Sequence, residues 1–408
     1  MLKDSVLLIK NQKIYLNFIM VIAPLMNFFS SICFDLYAPS MPAIATHLSV
    51  STHLMKNTIT MTMVGFAIGS LIFGVFIDCY GRRKTLIPSM FAFIIVSSFA
   101  PFVTSITQLM IIRFFQGMFT AACSIGSRAI IVDYFTGQRF IIAILYTTVA
   151  YGFGLMVAPF FGGYLQYYFG WQANFYAYII VAFFIGLVLF LFLRESLPPA
   201  NNRSLLKTVK SYGQVLKHRT LLAGIIILGI VLVEQLIYPT IGVFLVQVNL
   251  AYSPIIYGYS ALAIGCSYLV GTLINRLLLP KFSPGILVNF GFIIMTTATA
   301  LQLVLALWCE LNLWTLALPI MLFNIGLGFI FGNIIGFCLR IFPENAGINL
   351  AIQTCYLMLI SAAGVFAISS FKIDSVLPVS LIYVILVLIQ FMLFKGGIRH
   401  RIDHNFNK

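Results

Sequence analysis

GVFIDCYGRRKT, residues 74–85, sets one acid and three consecutive bases between two apolar runs, in a stretch from Lys56 to Arg113 that holds no other charged residue. Crossing ~30 Å of hydrocarbon at 1.5 Å per residue takes about 20 apolar residues in a helix. The runs on either side, 57–77 and 85–103, have that length. The charged segment between them therefore reads as a hairpin held out of the bilayer. Carried along the chain, the same window predicts an all-α membrane protein of twelve transmembrane helices. They lie at 14–37, 57–77, 85–103, 106–132, 140–165, 172–193, 220–246, 254–279, 284–308, 313–338, 346–371 and 375–395. The first is too long for a signal-peptide core and no small-x-small cleavage site follows it, so it is expected to be retained.

Composition leads to the same class. Of 408 residues, 61% are hydrophobic and 8% are charged, with a mean hydropathy of +1.04. A soluble domain of this length needs far more polar surface to cover its core. The net charge of +14 does not mark a nucleic-acid partner, because the bases are scattered through short gaps rather than gathered on one face. Lipid and topology account for them. With a cytoplasmic N-terminus, 21 of the 24 Lys and Arg fall in inner segments, Arg128 among them; Lys56 and Lys372 fall outside and Arg113 is embedded. The positive-inside rule then puts both termini in the cytoplasm, and GRRK becomes a cytoplasmic anchor for the second and third helices.

Other chemistry is thinly represented. The seven cysteines form no CxxC pair and lie mostly within spans, which points to neither a disulfide framework nor a metal site. His47 and His53 read as surface residues of the first external loop, and His218, His400 and His404 as cytoplasmic ones. The polar stretch 194–219 divides six spans from six, giving an N-terminal bundle 1–193, a linker, and a C-terminal bundle 220–408. Between Leu205 and Arg219 its Lys/Arg spacing would suit a helix lying on an anionic leaflet. The halves echo each other weakly: Asp35-Leu-Tyr37-Ala-Pro39 against Gln235-Leu-Ile-Tyr238-Pro239, and Gly74 before Asp78 against Gly271 before Asn275. A duplicated six-helix unit is the economical explanation.

GVFIDCYGRRKTL (74–86) resembles the loop signature of the major facilitator superfamily, G-x-L-A-D-R-x-G-R-K-x-x-L, with Cys79 at the usual Arg and Phe76-Ile77 for Leu-Ala. Arg113-Phe-Phe-Gln116-Gly117 is similar to its fourth-helix signature. Gly154-Leu-Met-Val-Ala158-Pro159-Phe-Phe-Gly162-Gly163 is similar to the fifth-helix signature of its antiporters, with Ala158 where Gly is usual. Asp35-x-Tyr37-x-Pro39-x-x-Pro42, Arg128-Ala-Ile-Ile-Val-Asp133 and Phe342-Pro343-Glu344-Asn-Ala-Gly347 make the pattern most like the Bcr/CflA-type drug:proton antiporters. The resemblance implies two six-helix bundles that alternate access in a bacterial inner membrane. It also implies that the hairpin cluster, with Gly74, Asp78, Gly81, Arg82 and Arg83, latches the halves on the cytoplasmic side when the cavity faces outward.

Each signature also has a physical reading. Gly74 would allow close helix approach, Gly81 a tight turn, and Asp78 an ion pair with the bases that follow. On the fifth helix Ala150, Gly154, Ala158 and Gly162 recur every four residues, a stripe for close packing, with Pro159 an expected kink. A bulky residue at Gly154 should then be excluded and Ala tolerated. Three embedded charges stand out, since each costs about 2.5–3.5 kcal/mol at mid-bilayer on insertion scales. Asp35 comes near the external end of helix one and Arg113 at a compatible depth in helix four, so the two can pair; the alternatives are a helix-end charge and a clamp on backbone carbonyls. Glu234 falls deep in helix seven, where neither depth nor packing alone explains an acid. A carboxylate in such a site can exchange protons and attract a cationic substrate.

The whole reads as a secondary transporter exchanging an outgoing amphiphilic compound for protons, with Asp35, Glu234 and Arg113 in the coupling. No nucleophile, base and orienter cluster marks an enzyme and no G-x-x-x-x-G-K marks ATP use, so the proton gradient stands where a cofactor would. Its partners are expected to be a small-molecule substrate and lipid, with no nucleic acid, and the chain to act as a monomer. The fold lines its cavity with helices 1, 4, 7 and 10, which nominates Asn27, Phe34, Tyr37, Tyr238, Asn324 and Asn333 as wall residues. Asn27 stands where some exporters of this type carry a further acid. A carrier of a specific metabolite or siderophore is the alternative; a non-transporting sensor or scaffold has no need of embedded charges.

Overall fold

The computed structural model describes residues 2–196, 218–341, 346–371, 375–399 and 402. Among them, twelve helices are long and apolar enough to cross a membrane. In chain order these are α1 (Leu2–Asp35), α2 (Thr52–Tyr80), α3 (Arg82–Ser98), α4 (Ile106–Tyr134), α5 (Gly137–Phe169) and α6 (Gln172–Phe192), then α7 (Arg219–Ile237), α8 (Pro254–Leu278), α9 (Pro284–Trp308), α10 (Leu313–Ile341), α11 (Ala346–Ser369) and α12 (Val376–Leu393). Each corresponds to a predicted span. Beyond α1 the chain turns through Ala38–Ser40 into a short helix, Met41–His47. Pro39 and Pro42 sit in the first turn of these two pieces, where no backbone N–H is needed. Beyond α7 the backbone widens into π turns, Tyr238–Gly242 and Leu245–Asn249. Pro39's counterpart there, Pro239, withholds a backbone N–H from the ladder.

The packing repeats with a shift of six helices. In the first bundle α1 packs on α4 and α5, α4 on α2 and α3, and α3 on α6; in the second α7 packs on α10 and α11, α10 on α8 and α9, and α9 on α12. Between bundles α2 meets α11, and its image under the same shift, α8, meets α5. The faint Tyr-Pro echo has a matching contact. Tyr37 Oη lies 2.7 Å from Thr58 Oγ1, and Tyr238 Oη bonds Ser260 Oγ; Thr58 and Ser260 each stand six residues after the start of their helix, Thr52 and Pro254. The two bundles thus repeat one packing pattern.

The bundles touch from the end that carries residues 36–51, the first-loop end, to about mid-depth. Gln247 Nε2 donates to Pro39 O (2.9 Å), His53 Nδ1 meets Ser369 O (2.6 Å), and Tyr164 Oη meets Tyr259 Oη (2.7 Å). The Lys56 ammonium stands 5.7 Å from the Phe244 ring centre, and Cys266 Sγ 3.6 Å from Met156 Sδ. The cleft between the bundles is thus closed at the first-loop end.

Three sequence expectations change. Lys56, expected outside, lies within α2 and is 3% exposed, because it supports a cross-bundle contact rather than topology. His53, expected to be a bland surface residue, ties α2 to the end of α11. Arg128, counted among the cytoplasmic bases, lies six residues inside the end of α4. Most of the linker 194–219, Lys372 and residues 342–345 of the Phe342–Gly347 motif lie outside the described residues.

Candidate functional site

The hairpin is a compact charge cluster. Gly81 has φ +103, a conformation that disfavours a Cβ, and an added Cβ would collide with the Glu195 carboxylate. That carboxylate accepts from the backbone N–H of Arg82 (2.8 Å) and of Arg83 (3.1 Å), and so caps the first turn of α3. The Arg82 guanidinium makes a fork to Asp133, Nε to Oδ2 at 2.8 Å and Nη2 to Oδ1 at 3.1 Å, and donates to Ile77 O. Asp78 stands 3.7 Å from Arg82 Nη1, and Ser196 Oγ donates to Asp133. Arg83 Nη2 donates to Phe190 O. These partners all belong to the first bundle, so in this conformation the cluster joins α2, α3, α4 and the end of α6 to one another. Gly74, expected at a close approach, has open space where a Cβ would stand, because its Cα faces no neighbouring atom within 4 Å of that position.

The α5 stripe divides between two partners. A Cβ at Gly154 would strike Ser31 Oγ and come within 2.9 Å of Phe28 O, and one at Gly162 would strike Leu36 O, so both glycines press on α1. Gly163 faces Pro254 of the second bundle, with the carbonyl of Pro159 3.0 Å from where a Cβ on Gly258 would lie. The helix runs unbroken through Pro159. Even the methyl of Ala meets backbone at Gly154, which narrows the tolerance expected there.

Arg113 is fully buried and serves as a clamp. Its Nη2 donates to Cys33 O (2.8 Å), its Nη1 to Gln116 Oε1 (2.9 Å), and its guanidinium carbon lies 4.0 Å from the Tyr37 ring centre. Among the described residues it forms no ion pair with Asp35, because these partners already hold it. Asp35 is 7% exposed and its Oδ1 has no hydrogen-bond partner among the described residues. It acts electrostatically on Tyr151 of α5 and, across the interface, on Tyr257 of α8, whose buried hydroxyl is also unpartnered. Glu234 takes a different position. Gln390 Nε2 of α12 donates to its Oε2 (3.0 Å) and to Ile227 O (3.4 Å), and Tyr383 Oη donates to its carbonyl (3.2 Å). It lies in the core of the second bundle, away from the cleft.

Most expected wall residues are packing groups in this conformation. Asn27 is held at both ends of its amide: its Nδ2 donates to Thr147 O (2.9 Å) and its Oδ1 accepts from Ser124 (3.0 Å), which ties α1 to α4 and α5. Asn333 bonds Asn275 of α8, Asn324 its own helix, and Phe34 packs on Phe66. Tyr37 and Tyr238 are the paired tyrosines described above. The sequence reading missed three residues at the cleft. Arg128 and Tyr151, both half-buried, stand within electrostatic reach of each other, and Tyr257 faces Asp35. The signal for Arg128 was its place four residues before the end of the predicted span 106–132, too deep for a loop. Glu195 and Asp133 were also missed as partners of the hairpin, since chain distance hides a cap supplied from the end of α6.

Comparison with known proteins agrees with this architecture. The profile of the Major Facilitator Superfamily matches residues 25–365. An uncharacterized MFS-type transporter of Bacillus subtilis is 34% identical over 250 residues, 58% of this chain and 61% of that one. A bicyclomycin resistance protein homolog of Haemophilus influenzae is 29% identical over 162 residues, 40% of this chain and 41% of that one. The chain thus aligns with about three fifths of the first relative's length and two fifths of the second's. The crystal structure of a D-xylose-proton symporter superposes with a TM-score of 0.74 at 16% identity, covering 95% of this chain and 99% of that one.

Proposed function

The chain belongs to the major facilitator superfamily, and from that premise we propose that it is a proton-coupled exporter of small amphiphilic compounds, with Asp35 as the coupling group. It is a membrane transporter rather than an enzyme. On this proposal it works as a monomer in a bacterial inner membrane, with the hairpin end in the cytoplasm and the proton gradient as its only energy source. The observation that carries the reading is the position of Asp35. This acid lies where the bundles meet, with one oxygen unpartnered and Tyr257 of the opposite bundle before it.

Enclosing a carboxylate there costs about 2.5–3.5 kcal/mol on insertion scales, and enclosing a neutral acid costs much less. Protonation therefore biases the bundles toward closing over Asp35, and deprotonation toward the conformation that wets it. Substrate entering from the hairpin end would take its place as the proton leaves. The kinship with a bicyclomycin resistance homolog supports export of drug-like compounds. The test is transport of a panel of labelled compounds into inside-out vesicles under an imposed pH gradient. Gradient-driven uptake that Asp35→Asn abolishes is expected; full uptake by that variant would overturn the assignment.

A further inference from the structure

Arg128 is a cation in an unusual position. Four residues beyond Ser124 on α4, it lies ~6 Å toward the hairpin end of the Asn27–Ser124–Thr147 knot, on the same helix face as Ser124. Among the described residues its guanidinium has neither a hydrogen bond nor an ion pair, although it lies inside a span where an unpaired charge is expensive. Of the other Arg with described side chains on the first bundle's helices, Arg82 is held by Asp133, Arg83 by Phe190 O and Arg113 by Cys33 O and Gln116, while Arg139 stands exposed at a helix start. Tyr151, one turn along α5 from Thr147, lies within electrostatic reach of both Arg128 and Asp35. Asp35 is eight residues beyond Asn27 on α1, ~12 Å farther toward the closed end.

We propose that Arg128 is the anchor for an anionic head group, so that the exported compounds include amphiphilic carboxylic acids, with the carboxylate on Arg128 and Tyr151 alongside. A guanidinium offers a planar fork that a carboxylate fills with two parallel hydrogen bonds. The apolar part of such a ligand would extend toward the aromatic closed end. Substrate then compensates the charge, and Asp35, ~18 Å or more than three turns farther toward the closed end, stays free to carry the proton. This assignment rests on the transporter reading above and deepens it.

The experiment separates the two. Thermal unfolding of the purified, detergent-solubilised full chain is followed with 2-naphthoate, 4-phenylbutyrate and N-acetyltryptophan, each against its primary amide. The acids should raise the melting temperature and the amides should not. The rise should vanish in Arg128→Gln and return in part in Arg128→Lys, while Arg139→Gln keeps it. Stabilisation by acids and amides alike, its persistence in Arg128→Gln, or no stabilisation by any acid would each overturn the anion site. Gradient-driven vesicle transport of the acids that survives Arg128→Gln would remove the site and leave the transporter reading standing; acid binding without gradient-driven transport of any compound would do the reverse.

Discussion

Asp35 and Glu234 are both buried acids on the innermost helix of a bundle, yet one faces the cleft and the other faces away. The tyrosine pair gives the register. With Tyr37 matched to Tyr238, Glu234 falls on Cys33, and the two positions behave alike: the Cys33 carbonyl accepts from Tyr178 of α6 (3.3 Å), as the Glu234 carbonyl accepts from Tyr383 of α12 (3.2 Å). Position 33 points into its own bundle. Asp35, two residues on, is turned by about 200° around the helix and points out of it. In this register the two acids differ by only two residues, ~3 Å, along the helix; on the proposal above, direction around the helix is what separates the coupling group from the packing group.

The sharpest way to break this contrast is to neutralise each acid. Asp35→Asn should reduce pH-driven transport at least tenfold, about 1.4 kcal/mol or more in the coupled step. Glu234→Gln should stay within twofold of wild type, because the amide of Gln390 still finds an acceptor. Proton release on substrate addition to the purified protein is the direct readout. The opposite pattern, Glu234 essential and Asp35 dispensable, would sink the register argument.

A second test acts on the packing that holds Asp35 in place. Gly154→Leu drives a side chain into Ser31 and the Phe28 carbonyl, and overpacking of this kind typically costs 1–3 kcal/mol. Transport should fall severalfold or more in protein that still reaches the membrane. Normal transport by a well-expressed Gly154→Leu variant would count against the α1–α5 seam as a part that must stay tight.

Removing the Glu234 side chain asks for a different kind of loss. Glu234→Leu deprives the Gln390 amide of its carboxylate acceptor in a buried core, worth about 1–3 kcal/mol of stability. The expected result is a lower melting temperature in detergent with turnover per folded molecule largely kept. A drop in turnover at unchanged stability would return Glu234 to the coupling machinery.

How far these sites could be read from sequence follows the same division. The twelve spans were legible because apolar length is a one-dimensional property, and the family signatures at 74–86, 113–117 and 154–163 named the fold. Gly81 was legible from its turn, and the Gly154 stripe from its period of four. Partners were not. Asp133 and Glu195 reach Arg82 and the α3 N-terminus from 51 and 113 residues away, and no local pattern announces them. Arg113 was given the right depth to meet Asp35, but three nearer acceptors and rings decide its geometry. Arg128 was absorbed into a loop because topology rules count charge without asking whether the helix has ended.

The hairpin carries the smallest effect. In this conformation Asp78 is 3.7 Å from Arg82 and a third exposed, while Asp133 holds Arg82 by two shorter bonds. An ion pair of that kind is worth ~0–1 kcal/mol, so Asp78→Asn should leave folding, insertion and ligand binding in the present conformation nearly unchanged. If Asp78 gains a partner across the bundles when the cleft opens at the first-loop end, the variant weakens chiefly that opposite conformation. The population then shifts toward the one described here by ~1–3 kcal/mol, the usual scale of such couplings, and turnover slows a fewfold. Single cysteines at the two mouths, in a background free of the seven native ones, would report it as faster labelling at the hairpin end and slower labelling at the first-loop end. Unchanged labelling at both mouths with unchanged transport would leave Asp78 as a minor prop for Arg82, and GRRK as an anchor whose strength lies in Asp133 and Glu195.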